Sequence, residues 1–130
     1  MSEFCVMIVD DSSVMRKIVE RSLRQAGLDS MVVLEAGNGV DALELLKTQT
    51  VQLILSDINM PSMDGLEFLR QLRAQNLAPN VPVAMITTES SEEHVKQAIL
   101  CGAQGYIRKP FTAEQVKERL LPLLTATQKD

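Results

Sequence analysis

Short apolar runs alternate five times with longer amphipathic stretches along the chain, the pattern of strands laid side by side in a parallel sheet and joined by helices. The runs are Val6 to Val9, Met31 to Leu34, Val51 to Leu55, Val83 to Ile86 and Gly105 to Ile107. They are continuous because a parallel strand is covered on both faces. The last run is short with a polar end, which predicts an edge position. Between the runs, Val14, Ile18, Val19 and Leu23 recur at helical spacing, as do Val40, Leu43 and Leu46, then Leu66, Leu69 and Leu72. Each set predicts one buried helical stripe. The clearest stripe is Val116, Leu120, Leu123 and Leu124. Pro122 inside it predicts a kink or an early end, because proline in a helix interior costs about 3 kcal/mol.

Punctuation agrees with these elements. Ser90-Ser91-Glu92-Glu93 and Thr112-Ala113-Glu114-Gln115 fit the capping box, in which side chains satisfy the orphan N–H groups of a first turn. Gly27 and Gly102 follow helical stretches, as C-terminal caps do. No repeat, low-complexity tract or linker interrupts the chain, which reads as a single domain over 1–130 with a polar tail from about residue 125. Right-handed crossovers place the sheet between two helical layers, and ligands are expected beyond the carboxyl ends of the strands, where strand order reverses.

Composition narrows the function classes. A chain of 130 residues, 45% hydrophobic and 23% charged, buries enough surface to fold without disulfides or metal staples. The net charge is −4 and the aromatics are three Phe and one Tyr, so neither an electrostatic footprint nor a stacking platform for nucleic acid is present, and direct DNA binding is not expected. Cys5 and Cys101 lack any paired spacing and read as core thiols. The first apolar run is too short for a signal peptide or a membrane span, so a cytoplasmic location is expected.

Candidate chemistry collects at the strand ends: Asp10-Asp11 after the first run, Asp57 after the third, Thr87-Thr88-Glu89 after the fourth and Lys109-Pro110 after the fifth. Two unit charges about 4 Å apart at an effective dielectric near 20 interact by about 4 kcal/mol, so three clustered carboxylates call for a cation or a proton. Hard oxygen donors suit Mg²⁺ or Mn²⁺, and one His with two distant Cys disfavours zinc. A carboxylate beside such a cation can act as a nucleophile toward phosphorus, and Asp57 best fits that role. The loop Asn59-Met60-Pro61 can offer a backbone carbonyl to the cation. Lys109 supplies a point charge for a phosphoryl oxygen, and Thr87 a hydroxyl.

These residues in this order, Val9-Asp10-Asp11, Ser56-Asp57-Ile58-Asn59-Met60-Pro61 with Met63-Asp64-Gly65, Thr87, and Lys109-Pro110-Phe111, closely resemble the response-regulator receiver signature over the whole chain. The resemblance implies the flavodoxin-like α/β fold, a three-layer (βα)5 unit with strand order 2-1-3-4-5. It further implies Asp57 as phosphoacceptor; Asp11, Asp57 and the Asn59 carbonyl as direct ligands of Mg²⁺, with Mn²⁺ able to substitute; and Asp10 as a ligand through water. Thr87 and Lys109 would touch the phosphoryl group, Thr87 and Tyr106 would form the switch, and Asn59, Thr88 and Glu89 would modulate the pocket. The Lys109-Pro110 peptide is expected to be cis.

Within the family, Asn59 to Pro61, Met63 to Leu66, Glu89, Tyr106 and Lys109 to Thr112 are most similar to chemotaxis regulators. Ser12 and Thr88 depart from them, where an aromatic residue and an alanine are usual. The implied partners are a histidine kinase as phosphodonor and a protein target such as a flagellar motor switch protein, met by the face of the fourth helix, fifth strand and fifth helix of a monomer. The chain would then be no enzyme beyond catalysing its own phosphorylation and dephosphorylation.

Taken singly, Asp10-Asp11 reads equally as an acidic pair at a helix N-terminus, Asp64-Gly65 as a turn and Lys109 as a solvated charge. Convergence of four strand ends favours the functional reading. Two other functions remain as alternatives: a phosphate sink or scaffold, and a receiver cut from a longer regulator. A phosphohydrolase of the haloacid dehalogenase type is disfavoured, since its second acid two residues after the first-strand nucleophile is here Ser12.

Overall fold

In the computed structural model, which describes residues 4–28, 31–58, 60, 63–87, 92–108 and 112–119, the apolar runs become strands of one parallel sheet. They are β1 (Cys5–Val9), β2 (Val32–Ala36), β3 (Leu53–Asp57), β4 (Val83–Thr87) and β5 (Gly105–Arg108). Helices α1 (Ser13–Gln25), α2 (Gly39–Leu46), α3 (Gly65–Ala74) and α4 (Glu92–Leu100) alternate with them, and α5 covers 113–119. The strand order is β2-β1-β3-β4-β5, so the expected α/β three-layer, flavodoxin-like architecture holds, with β5 at an edge. Against the apolar runs, β2 and β3 begin one and two residues later and extend to Ala36 and Asp57.

The order dictates the layers. The chain passes from β1 to β2 in one direction, then returns past β1 to β3 and continues the other way. Right-handed crossovers therefore place α1 on one face and α2, α3 and α4 on the other. Strand side chains alternate between the two cores with the two-residue period of a pleat. Val6, Ile8, Leu53, Leu55, Ala84 and Ile86 pack under Val19 and Leu23 of α1 and Val116 of α5. Met7, Val9, Ile54, Val83 and Met85 pack under α2, α3 and Ala98 of α4.

Neighbours decide how much of each helix is buried. Helix α3 lies between α2 and α4, and Leu66, Leu69 and Leu72 are all covered, together with Phe68. Helix α1 shares its face of the sheet with α5, and α2 has α3 as its helical neighbour. Their stripes are narrower than the spacing predicts: Val19, Leu23, Leu43 and Leu46 are buried, whereas Val14 is 67% exposed, Ile18 43% and Val40 46%. Of the last stripe, Val116 is buried as expected, while Leu120, Pro122, Leu123 and Leu124 lie outside the described residues.

Capping is specific. Thr112 and Gln115 exchange the two hydrogen bonds of the predicted box, at 3.0 and 3.2 Å. Ser12, Asn38 and Asp64 cap α1, α2 and α3 by accepting from Met15, Asp41 and Glu67 N–H. Gly27 and Gly102, at φ 116° and 109°, close α1 and α4 in the left-handed conformation that suits glycine. The N–H groups of Leu28 and Ala103 then reach back to Leu23 and Ala98.

One close approach positions the site. The Gly65 N–H donates to the Ile58 carbonyl at 2.7 Å, drawing the start of α3 against the end of β3. A Cβ on Gly65 would stand 2.2 Å from the Asp57 carbonyl oxygen and 2.9 Å from the Ile58 Cα, both backbone atoms that cannot yield cheaply. Gly65→Ala is expected to lower stability by about 1–3 kcal/mol through overpacking. Urea denaturation of the variant against the wild type measures this, and an unchanged midpoint would refute the steric account.

Candidate functional site

β1 and β3 are neighbours, but the chain leaves them in opposite directions, so a crevice opens beyond their carboxyl ends. Val9 pairs with Ser56, which brings the next residues, Asp10 and Asp57, to the same level. The Asp10 N–H continues the ladder by donating to the Ala36 carbonyl at 3.0 Å. Carboxylate oxygens of Asp10, Asp11 and Asp57 all lie within 4.8 Å of one another. Asp10 and Asp57 are buried, and Asp11 is exposed at the mouth.

Asp10 and Asp11 precede the cap of α1 rather than lying in its first turn. The cap of α1 is Ser12, and its first turn contains no acid. The Asp10 carboxylate instead accepts from the Ser12 N–H at 2.9 Å. By contrast, Asp64 does serve as a helix cap. The clustered donors are all carboxylate oxygens, hard ligands at three corners of one space, and they fit a divalent cation of the Mg²⁺ class.

Two residues that the sequence reading passed over support this loop. Arg16 donates through Nε to Glu35 Oε1 at 2.7 Å and through Nη1 to the Asp10 carbonyl. Lys17 Nζ lies 3.3 Å from the other Glu35 oxygen. The hydrogen bond from Arg16 holds the Glu35 carboxyl below the usual glutamate range, with desolvation opposing it and Lys17 assisting. Residues 16 and 35 are too far apart in sequence for any spacing rule, and only the β1–β2 pairing brings their elements together.

Farther along the sheet, Thr87 ends β4 opposite Arg108, one step beyond the level of Asp57, which pairs with Ile86. Tyr106 in β5 is half-buried against the core on the α2–α4 face. The Arg119 guanidinium of α5 lies 5.2 Å from its ring centroid, reaching round the sheet edge. Such a cation–π contact at an exposed site contributes about 0.5–1 kcal/mol. Met60 is buried in the core on the α2–α4 face. Asn59, Pro61, Thr88, Glu89, Ser90, Ser91, Lys109, Pro110 and Phe111, with the Lys109-Pro110 peptide and the Thr87 side chain, lie outside what is described.

A parallel sheet in this order, with an acidic triad at its reversal point, defines a receiver. The chain belongs to the response regulator receiver domain family, whose model matches residues 6–121. It is 42% identical over 120 residues to a chemotaxis protein CheY homologue of Campylobacter jejuni, covering 92% of this chain and 91% of that one. Among solved structures, it is similar to the chemotaxis protein CheY4 of Vibrio cholerae, with a TM-score of 0.79, 35% identity, and 90% and 95% of the two chains covered. It also resembles a CheY-like receiver domain protein of Methanospirillum hungatei, at TM-score 0.85, 27% identity and 98% of each chain. Among the described residues, no helix is long and apolar enough to cross a membrane.

Crowded carboxylates should be felt as a loss of stability. In metal-free buffer, Asp57→Asn is expected to raise the unfolding free energy by about 1–4 kcal/mol of relieved repulsion, and added Mg²⁺ should narrow the gap by stabilising the wild type. A wild type more stable than Asp57→Asn without metal would refute this. A second expectation concerns Glu35. Its folded pKa is depressed, so its contribution is present above the unfolded value near 4.5 and is lost as pH falls through the lower folded value. The stability gap between wild type and Glu35→Gln, measured by thermal melts, should therefore be open at pH 7 and close only as pH falls below 4.5 and through the depressed folded value.

Proposed function

We propose that this chain is a phosphorylation-dependent switch of the chemotaxis type, which accepts a phosphoryl group on Asp57 from a histidine kinase. The observation that carries the reading is the meeting of Asp10, Asp11 and Asp57 within 4.8 Å at the reversal point of the sheet. Asp11, Asp57 and the Asn59 carbonyl would hold Mg²⁺ directly, and Asp10 through water. When bound, the ion offsets the charge of the carboxylates and of the phosphoryl oxygens.

The protein's own residues account for the transfer. An Asp57 carboxylate oxygen attacks phosphorus, the new O–P bond forms, and the P–N bond to the donor histidine breaks, leaving its electron pair on the imidazole nitrogen. Burial of Asp57 keeps bulk water from competing during the attack. Lys109 and the Thr87 hydroxyl then meet the phosphoryl oxygens, and Thr87 and Tyr106 relay the change to the α4–β5–α5 face. Turning a mostly inactive population into a mostly active one takes about 5.5 kcal/mol of differential stabilisation. A few charge-assisted hydrogen bonds of about 1.5–3 kcal/mol each supply that. The exposed Ile99 and Leu100 at the end of α4 suit a protein target of the motor switch kind. Catalysis would be confined to the chain's own phosphorylation and dephosphorylation, consistent with a receiver rather than a turnover enzyme.

Intact-mass analysis after treatment with acetyl phosphate and Mg²⁺ tests the reading. The expected result is a gain of about 80 Da, one phosphoryl group, which is abolished in Asp57→Asn and in metal-free buffer. Absence of the adduct with both acetyl phosphate and a phosphorylated histidine kinase domain would overturn it.

A further inference from the structure

The loop that carries Asp10 and Asp11 is gripped on both sides of one residue. The Asp10 N–H donates to the Ala36 carbonyl of β2, and the Asp10 carbonyl accepts from Arg16 Nη1 at 2.5 Å. Arg16 is itself fastened to Glu35 of β2, one residue before Ala36. Its side chain is only 17% exposed, so its guanidinium has left bulk water to serve two acceptors on different elements. A planar fork with fixed donor directions does this; an ammonium group, a compact point charge, does not hold two such acceptors at defined angles.

We propose that Arg16, anchored by Glu35, is the positioning residue that sets the Asp10–Asp11 peptide for cation binding, an inference that rests on reading the acidic triad as a metal site. The carbonyl that Arg16 holds belongs to the peptide joining Asp10 to Asp11. Fixing that plane fixes where the Asp11 backbone starts, and Asp11 is the exposed member of the triad. Glu35 has a second effect. An unpaired guanidinium beside three carboxylates would compete with a cation for them, whereas one paired to Glu35 has its charge offset and presents its other edge to a neutral carbonyl. Lys17 lies against the same Glu35 carboxylate and also against Glu20, at 3.8 Å, so it follows the Arg16–Glu35 pair rather than the loop.

Charge and positioning predict opposite signs for Arg16→Ala and different outcomes for Arg16→Lys, which makes the proposal testable. Mg²⁺ alone is titrated against the full chain, wild type and variants, with binding read from backbone amide shifts in NMR spectra. If Arg16 acted only by charge, Arg16→Ala would bind Mg²⁺ more tightly, Glu35→Gln more weakly, and Arg16→Lys would match the wild type. Positioning predicts that Arg16→Ala and Glu35→Gln each weaken binding by about tenfold, the lower end of the range for outer partners of metal ligands. It also predicts that Arg16→Lys fails to rescue, and that the Arg16→Ala/Glu35→Gln double variant is no weaker than Arg16→Ala, because one clamp is removed once. Arg24→Ala, which breaks the α1 ion pair with Glu20 instead, should leave Mg²⁺ affinity unchanged. Should Arg16→Ala lose its native amide dispersion, Arg16→Lys decides the matter. Wild-type affinity in Arg16→Ala or Arg16→Lys overturns the proposal while the metal site stands. A wild type without Mg²⁺-dependent shifts, or with shifts that persist unchanged in Asp57→Asn, overturns both.

Discussion

Three carboxylates confined within 4.8 Å repel one another, and much of the architecture is what holds them there against that repulsion. A flexible loop would relax by swinging its acids into water. Asp10 and Asp57 have no such freedom, because they follow or end strands whose side chains are buried on both faces and whose backbones are laddered to neighbours. The sheet supplies the rigidity, and reversal of strand order supplies the space. Stability spent on crowding like charges is regained when a cation or a partner offsets them, which is why strain of this kind is found at functional sites.

The packing of α3 belongs to the same constraint. Its first residue must lie against the backbone of Asp57 and Ile58, so a side chain at Gly65 is excluded, and the cap at Asp64 turns the chain into the helix at that point. Behind it, Leu66, Phe68, Leu69 and Leu72 seat the helix on the sheet. The end of β3 is thus pressed from one side by α3 and tied to β1 on the other. On the far side of β1, the Arg16–Glu35 pair reaches the Asp10–Asp11 loop from β2.

How much of this was legible in the sequence follows from the range of each interaction. The five strands were readable because a parallel strand writes itself as a local apolar run, and the acids stood out because they interrupt those runs at their ends. Helical stripes were readable only in part: Val14, Ile18 and Val40 obey the spacing, yet whether a stripe is covered depends on how many helices lie alongside, which periodicity does not encode. The caps at Ser12, Asn38 and Asp64 lie in ordinary capping residues and were less conspicuous than the box at Thr112. Nothing local announced Arg16 and Glu35, since an arginine and a glutamate nineteen positions apart meet only through strand register. The switch face was named from resemblance, and the stacking of Arg119 on Tyr106 required the path of α5 round the sheet edge.

That stacking also bears on how a switch at Asp57 would reach the α4–β5–α5 face. Tyr106 packs on the α2–α4 side of the sheet while Arg119 comes from the helix on the other side, so the pair bridges the edge strand. Moving the ring would require giving up a contact of about 0.5–1 kcal/mol, against about 5.5 kcal/mol for a near-complete change of population. Arg119 is therefore too weak to lock the face in one state and strong enough to change its resting population a few-fold. Under the proposed function the decisive energy must come from the phosphoryl group and its partners at the strand ends. The outer contacts then set how far the unphosphorylated protein already samples the active packing.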